Sequence, residues 1–133
     1  MDDHEGRGTV LVVEDDANLR PFLVRALDNG GFTTLAAARA ADALALVRER
    51  DGRLELAIVD LVMPGMSGLD LAGDLDREYP NLKILYISGY IGSLAADALF
   101  RRAPDHVLLK PFTGDALLER VGKLLEAARG TNG

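Results

Sequence analysis

The chain has 133 residues, 48% of them hydrophobic and 27% charged, with a formal net charge of −6 and no cysteine. That length supports one domain with a real core and not two. The composition excludes a disulfide framework, a thiolate zinc site and a thiol nucleophile, and the acidic balance, with Arg101–Arg102 as its one adjacent basic pair, argues against direct nucleic-acid binding.

The opening MDDHEGRG is acidic and reads as neither a signal nor a transit peptide, and no apolar run approaches a membrane span. A cytoplasmic domain over residues 9–129 is expected, with flexible tails at 1–8 and 130–133.

Thr9–Val13 (TVLVV) is a β-branched run that predicts a buried strand. Leu19, Phe22, Leu23, Ala26 and Leu27 then recur as one stripe of a helix, with Asp16 as its N-cap, Pro21 in its first turn and Gly30–Gly31 as its stop. Phe32–Ala36 predicts a second strand, and Ala40, Ala43, Leu44 and Val47 a second helix closed by Asp51–Gly52. Leu54–Val59 predicts the third strand, and Leu71, Ala72, Leu75 and Tyr79 the third helix. Lys83–Ile87 predicts the fourth strand, followed by a weaker helical pattern over Leu94–Phe100. Val107–Leu109 is a short fifth strand, and Thr113 caps a last helix faced by Leu117, Val121, Leu124, Leu125 and Ala128.

Strands that alternate with helices imply a parallel sheet covered on both faces, a single doubly wound, flavodoxin-like α/β domain. The common five-stranded wiring has order 2-1-3-4-5, with five helices and a ligand site beyond the C-terminal ends of strands 1 and 3, where the winding reverses.

The residues at those strand ends carry the chemistry. Glu14, Asp15 and Asp16 follow the first strand, Asp60 the third, Ser88–Gly89 the fourth and Lys110–Pro111 the fifth. Singly they have ordinary readings: Asp16 is a cap, Lys110 a surface lysine, Ser88 a loop serine, Pro64–Gly65 a turn, and His106 an exposed loop histidine. Jointly they converge on one edge of the sheet. Carboxylates that close need a counter-charge, and an oxygen-rich set without thiol or imidazole suits magnesium better than zinc. Lys110 adds a mobile positive charge and Ser88 a hydroxyl donor. Metal, lysine and hydroxyl around an otherwise unpaired Asp60 form the parts of a phosphoryl-transfer site, with a carboxylate as nucleophile.

VLVVEDD, VDLVMPGMSG, LYISGY and LLKPF resemble the receiver domain of bacterial two-component response regulators, over about Thr9 to Ala128. The resemblance implies that Asp60 accepts a phosphoryl group from a phosphohistidine of a histidine kinase or phosphotransfer protein. It implies that Asp15 binds Mg2+ directly, Glu14 through water and Val62 through its backbone carbonyl, that Ser88 hydrogen-bonds the phosphoryl group, and that Lys110 pairs first with Asp60 and then with the phosphate. It further implies a cis Lys110–Pro111 bond, loop-shaping roles for Gly65 and Gly68, and an output face made by helix 4, strand 5 and helix 5 toward a downstream protein. The LYISGY and LLKPF segments are similar to receivers fused to the C-terminus of hybrid histidine kinases.

The chain departs from the family pattern at Val107, three residues before the lysine, where many receivers carry the aromatic of their switch; Tyr90 offers a different aromatic. Val62 and Tyr90 hold positions that in the family tune water access to the acyl phosphate, and neither can activate water, so slow self-dephosphorylation is expected.

Rival readings fit less well. A flavodoxin-type phosphate loop is rich in hydroxyls and glycine, whereas EDDAN would repel a phosphate. A dehalogenase-type phosphatase needs a second Asp two residues after the first, where Val62 stands. The glycine–lysine signature of a P-loop is missing. The serious rival is a receiver-like interaction module that never turns over phosphate.

Overall fold

Side chains alternate between the two faces of a strand, and the first strand shows why this sheet is buried on both. In β1 (Thr9–Val13), Val10 and Val12 enter one apolar cluster while Leu11 and Val13 enter another. The structure, a computed structural model, describes residues 7–62, 68–89 and 94–132. The remaining elements follow as α1 (Leu19–Asn29), β2 (Thr33–Ala37), α2 (Ala40–Glu49), β3 (Leu56–Asp60), α3 (Gly68–Glu78), β4 (Lys83–Ser88), α4 (Leu94–Arg102), β5 (Val107–Leu109) and α5 (Gly114–Asn132). A 3-10 turn, Pro104–His106, leads into β5.

All the pairings are parallel and the strand order is 2-1-3-4-5, the wiring expected from the alternation. α1 and α5 cover the face of Val10, Val12, Ile58 and Ile87 with Leu23, Leu27, Leu117 and Val121. α2 and α3 cover the face of Leu11, Val13, Ala57 and Val59 with Ala43, Val47, Leu71 and Leu75. A third, smaller cluster of Leu61, Leu99 and Val107 lies beneath α4. Each fully buried aliphatic side chain here contributes roughly 1.5–3 kcal/mol relative to exposure, so the strands that carry the site rest on the firmest part of the molecule.

The Thr113 cap forms as the sequence predicts, its Oγ1 accepting from the Ala116 N–H at 3.0 Å. Asp16, expected at the N-cap of α1, lies two residues ahead of it: the N-cap is Asn18, without a side-chain cap bond, and Asp16 Oδ1 ties the preceding turn by accepting from the Asn18 and Leu19 N–H groups at 2.7 and 2.9 Å. Gly31, at φ 93°, turns the chain out of α1.

Strand boundaries differ from expectation by one or two residues. β2 starts at Thr33 because Phe32 closes α1, donating its N–H to Leu27 O at 3.0 Å, while its buried ring lies under the Arg7 guanidinium at 4.7 Å. β3 starts at Leu56 because Leu54 turns back, its N–H on Gly52 O. At the other end, β3 includes Asp60, which pairs in register with Ile87, and β4 includes Ser88, which pairs with Leu109. Asp60 is therefore the last strand residue and not the first loop residue, and the direction of its side chain is set by the sheet. His106, expected in an exposed loop, is half-buried, with Nδ1 2.8 Å from Ile84 O.

Candidate functional site

The C-terminal ends of β1, β3 and β5 meet at an open cleft of about 330 Å³ lined by Glu14, Asp15, Asp16, Asp60, Val62, Gly89 and Lys110. The crossover reversal between β1 and β3 puts two acidic strand ends side by side: Val13 pairs with Val59, so Glu14 and Asp60 are the next residues along neighbouring strands. The Glu14 N–H donates to Ala37 O at 3.1 Å and the Leu61 N–H to Ile87 O at 3.0 Å, so each acid stands beside a backbone anchor.

Asp60 is only 3% exposed. Its Oδ1 accepts from the Val62 N–H at 2.9 Å and its Oδ2 from Lys110 Nζ at 3.0 Å. Lys110 is also 3.8 Å from Glu14 Oε1. Burial works against the Lys110 ammonium, but the hydrogen bond to Asp60 and the charges of Asp60 and Glu14 outweigh it and hold its pKa above the ordinary lysine value.

Glu14 is 1% exposed. Its Oε2 accepts from the Asp16 N–H at 3.0 Å, but Oε1 is buried without a hydrogen-bond partner. Desolvation, then a hydrogen bond shared with Asp60 and the Asp60 charge, raise the Glu14 pKa to about 8, against the lowering pull of the Asp16 N–H and Lys110. A buried carboxylate oxygen without a partner costs on the order of 1–3 kcal/mol or more, which a proton or a cation would relieve.

Glu14, Asp15 and Asp60 each offer a carboxylate oxygen, and the three oxygens lie within 4.8 Å of one another. Two of the acids are buried and Asp15 is exposed, so the group opens toward solvent on one side. Oxygen-only donors with an open side fit a hard divalent cation that keeps several waters, and Glu14 Oε1, which accepts no hydrogen bond, is the atom such an ion would satisfy.

Ser88 is fully buried at the end of β4, paired with Leu109, the residue before Lys110. The Lys110–Pro111 bond is cis, and Lys110 N–H donates to Ser88 O at 2.8 Å. Val62 exposes 67% of its surface at the cleft mouth. Val107 is buried against Leu61 and Leu99, opposite Tyr86 in the register of β4 and β5. Tyr90, Pro64 and Gly65 lie outside the described residues. Gly68 begins α3 and donates its N–H to Leu61 O at 3.2 Å.

One participant carried no sequence signal. Arg20, in the first turn of α1, donates through Nη1 to Glu14 O at 2.9 Å and Asp15 O at 3.4 Å. A long side chain reaching back to main-chain oxygens leaves no spacing rule to detect; a basic residue one helical turn after an acidic loop is the only hint.

A doubly wound sheet with an acid-and-lysine cleft at its switch point defines a signalling domain of the receiver class. The chain belongs to the response regulator receiver domain family, whose profile matches residues 10–122. The sensor kinase CckA of Brucella abortus (strain 2308) is 37% identical over 128 residues, which are 93% of this chain and 13% of that protein. The response regulator receiver protein CpdR of the same organism is 35% identical over 120 residues, 90% of this chain and 98% of its own. The chain thus spans a small part of CckA and nearly all of CpdR. A CheY-like response regulator receiver domain protein from Methanospirillum hungatei JF-1 superposes with a TM-score of 0.80 over 92% of this chain and 97% of its own, at 24% identity, a likeness of fold. Among the described residues no helix is long and apolar enough to cross a membrane.

Proposed function

We propose that Asp60 is a phosphoacceptor that takes a phosphoryl group from a phosphohistidine on a histidine kinase or histidine phosphotransfer protein, in a magnesium-dependent step. The observation that carries this reading is the state of the Asp60 carboxylate: buried at a strand end, steered by one N–H and one ammonium, and facing an open acidic cleft.

In the transfer, a carboxylate oxygen of Asp60 forms a bond to phosphorus while the phosphorus–nitrogen bond to the donor imidazole breaks, its electron pair returning to the ring. Asp15 and Asp60, the Val62 carbonyl and, through water, Glu14 would hold magnesium, which would neutralise the phosphoryl oxygens. Lys110 already lies on Asp60 and can move its charge onto the incoming group without leaving the cleft. Ser88, at the end of β4, supplies a hydroxyl toward the phosphoryl oxygens. The Val62 N–H holds one carboxylate oxygen and so fixes the plane of attack. Because the group ends on the protein, the domain is a switch and not a turnover enzyme; α4, β5 and α5 form the face that passes the state to a downstream protein.

The test is incubation of the full chain with Mg2+ and a small phosphodonor, read by intact mass. A gain of one phosphoryl group that disappears in Asp60→Asn is the expected result. No gain with a donor competent toward another receiver would overturn the reading and leave a receiver-fold interaction module.

A further inference from the structure

We propose that Arg20 is a positioning residue for the metal-binding acids: its guanidinium pins the two main-chain carbonyls behind Glu14 and Asp15 and thereby aims their carboxylates. The inference rests on the magnesium reading above.

The loop after β1 has to present two consecutive side chains to one ion, although consecutive residues naturally diverge. Glu14 is the buried member and Asp15 the exposed one, so the sheet fixes the first while the second depends on the loop. The loop is tied at several points. The Glu14 N–H is on Ala37 O, Glu14 Oε2 takes the Asp16 N–H, and Asp16 Oδ1 takes the next two loop N–H groups. All of these fix N–H groups. The carbonyls of Glu14 and Asp15 are held by a single atom, Arg20 Nη1, at 2.9 and 3.4 Å. Holding both oxygens at one point fixes two successive peptide planes, and with them the direction in which the Asp15 side chain leaves the main chain. Arg20 is itself anchored, because its own N–H donates to Asp16 O at 3.0 Å in the turn that leads into α1. The strap is half-buried, and a charged donor on a carbonyl is stronger there than in open water.

The sign of the effect separates positioning from plain electrostatics. A guanidinium near a dication site repels the ion, so losing its charge alone would tighten magnesium binding. Losing its grip on the carbonyls would weaken binding, by about tenfold if it resembles other residues that orient metal ligands.

The experiment titrates the full, metal-free chain with Mg2+ alone, by calorimetry and by the amide NMR shifts of Asp15 and Asp16, for the wild type, Arg20→Met and Arg20→Lys. The expected result is about tenfold weaker binding in Arg20→Met. Arg20→Lys, which keeps the charge but offers only a point donor, is expected in between. Equal or tighter binding in Arg20→Met, with the wild type binding normally, overturns the inference and leaves the magnesium reading intact. If Arg20→Met does not fold by circular dichroism, Arg20→Lys decides: weaker binding supports the strap, and wild-type affinity overturns it. A wild-type chain that takes no magnesium would instead fail the metal reading, and the inference with it.

Discussion

Lys110 Nζ stands 3.0 Å from Asp60 Oδ2, joining residues fifty positions apart across the mouth of β3 and β5. The same ammonium is 3.8 Å from Glu14 Oε1, so one cation offsets two buried carboxylates. Asp60 is nearly inaccessible and lies beside a second buried acid, Glu14, and Lys110 is the ammonium that reaches both.

Lys110→Met is therefore expected to slow phosphoryl gain from a small donor by about 100-fold, the scale of losing one preorganised charge at a transferring group. Lys110→Arg keeps the charge but not the point geometry, and should recover only part of the rate. Intact-mass time courses at saturating Mg2+ measure both; a wild-type rate in Lys110→Met would remove the lysine from the chemistry.

Gly68 tests how the floor of the cleft is built. A Cβ placed there would press on the main chain of β3, with Asp60 C and Leu61 Cα both at 2.9 Å. Main chain cannot step aside as a flexible side chain can, so α3 must lift from the strand end. Gly68→Ala is expected to destabilise the fold by about 2 kcal/mol, within the range of overpacked sites, and to slow Asp60 phosphorylation. Urea unfolding and mass time courses check the two effects, and a neutral result in both would mean that α3 and β3 slide freely.

Much of this was legible in the chain because period and placement are local. Five apolar runs separated by helical stripes give the order 2-1-3-4-5 once crossovers are right-handed, and that order alone brings Glu14, Asp60 and Lys110 together. Boundaries were less legible. Phe32 is as apolar as its strand neighbours, but a positive φ at Gly31 and a hydrogen bond back to Leu27 assign it to the end of α1. Asp60 and Ser88 read as loop residues because they are polar, yet ladder pairing with Ile87 and Leu109 carries the strands through them. The Arg20 strap was not legible at all, since hydrogen bonds to main-chain oxygens place no demand on which residues supply those oxygens.

Val107 fills a place where an aromatic ring would swing in many receivers, and the structure gives it a packing role against Leu61 and Leu99. Val107→Ala is expected to lower stability by about 2 kcal/mol, two methyl groups with a residual cavity, while the phosphorylation rate at Asp60 stays within twofold. Denaturant melts set against mass time courses would show the separation. A large rate loss without a stability loss would place Val107 in the switch itself.

Val62 presents an apolar side chain, 67% exposed, at the cleft mouth two residues after Asp60. It has no group to orient a water toward an acyl phosphate, so the phosphorylated chain with Mg2+ should decay over minutes or longer. Val62→Gln, which can donate to and accept from water, is expected to shorten that lifetime severalfold. Decay of the wild type within seconds would sink the assignment of Val62 as a brake.

Glu14 gives the pH dependence. Burial first, then the proton-sharing contact with Asp60 and its charge, raise its pKa from the ordinary 4.5 to about 8 in the metal-free fold. The folded chain thus holds a proton that the unfolded chain releases near 4.5, and the stability linked to it is fully present below that pH and lost as pH rises through about 8. The metal-free protein should melt at progressively lower temperature from pH 5 to pH 9. Magnesium needs the ionised carboxylate, so binding below pH 8 must expel that proton, and affinity should climb with pH until Glu14 is ionised on its own. The stabilisation given by Mg2+ is then largest where the metal-free protein is weakest. Glu14→Gln cannot ionise: its melting temperature should lose most of this slope, exceed the wild type near pH 9 without metal, and respond less to Mg2+. Melting curves of both proteins across that range, with and without Mg2+, decide the matter; a wild-type profile as flat as that of Glu14→Gln would show that the buried oxygen is satisfied by some means other than a proton or a cation.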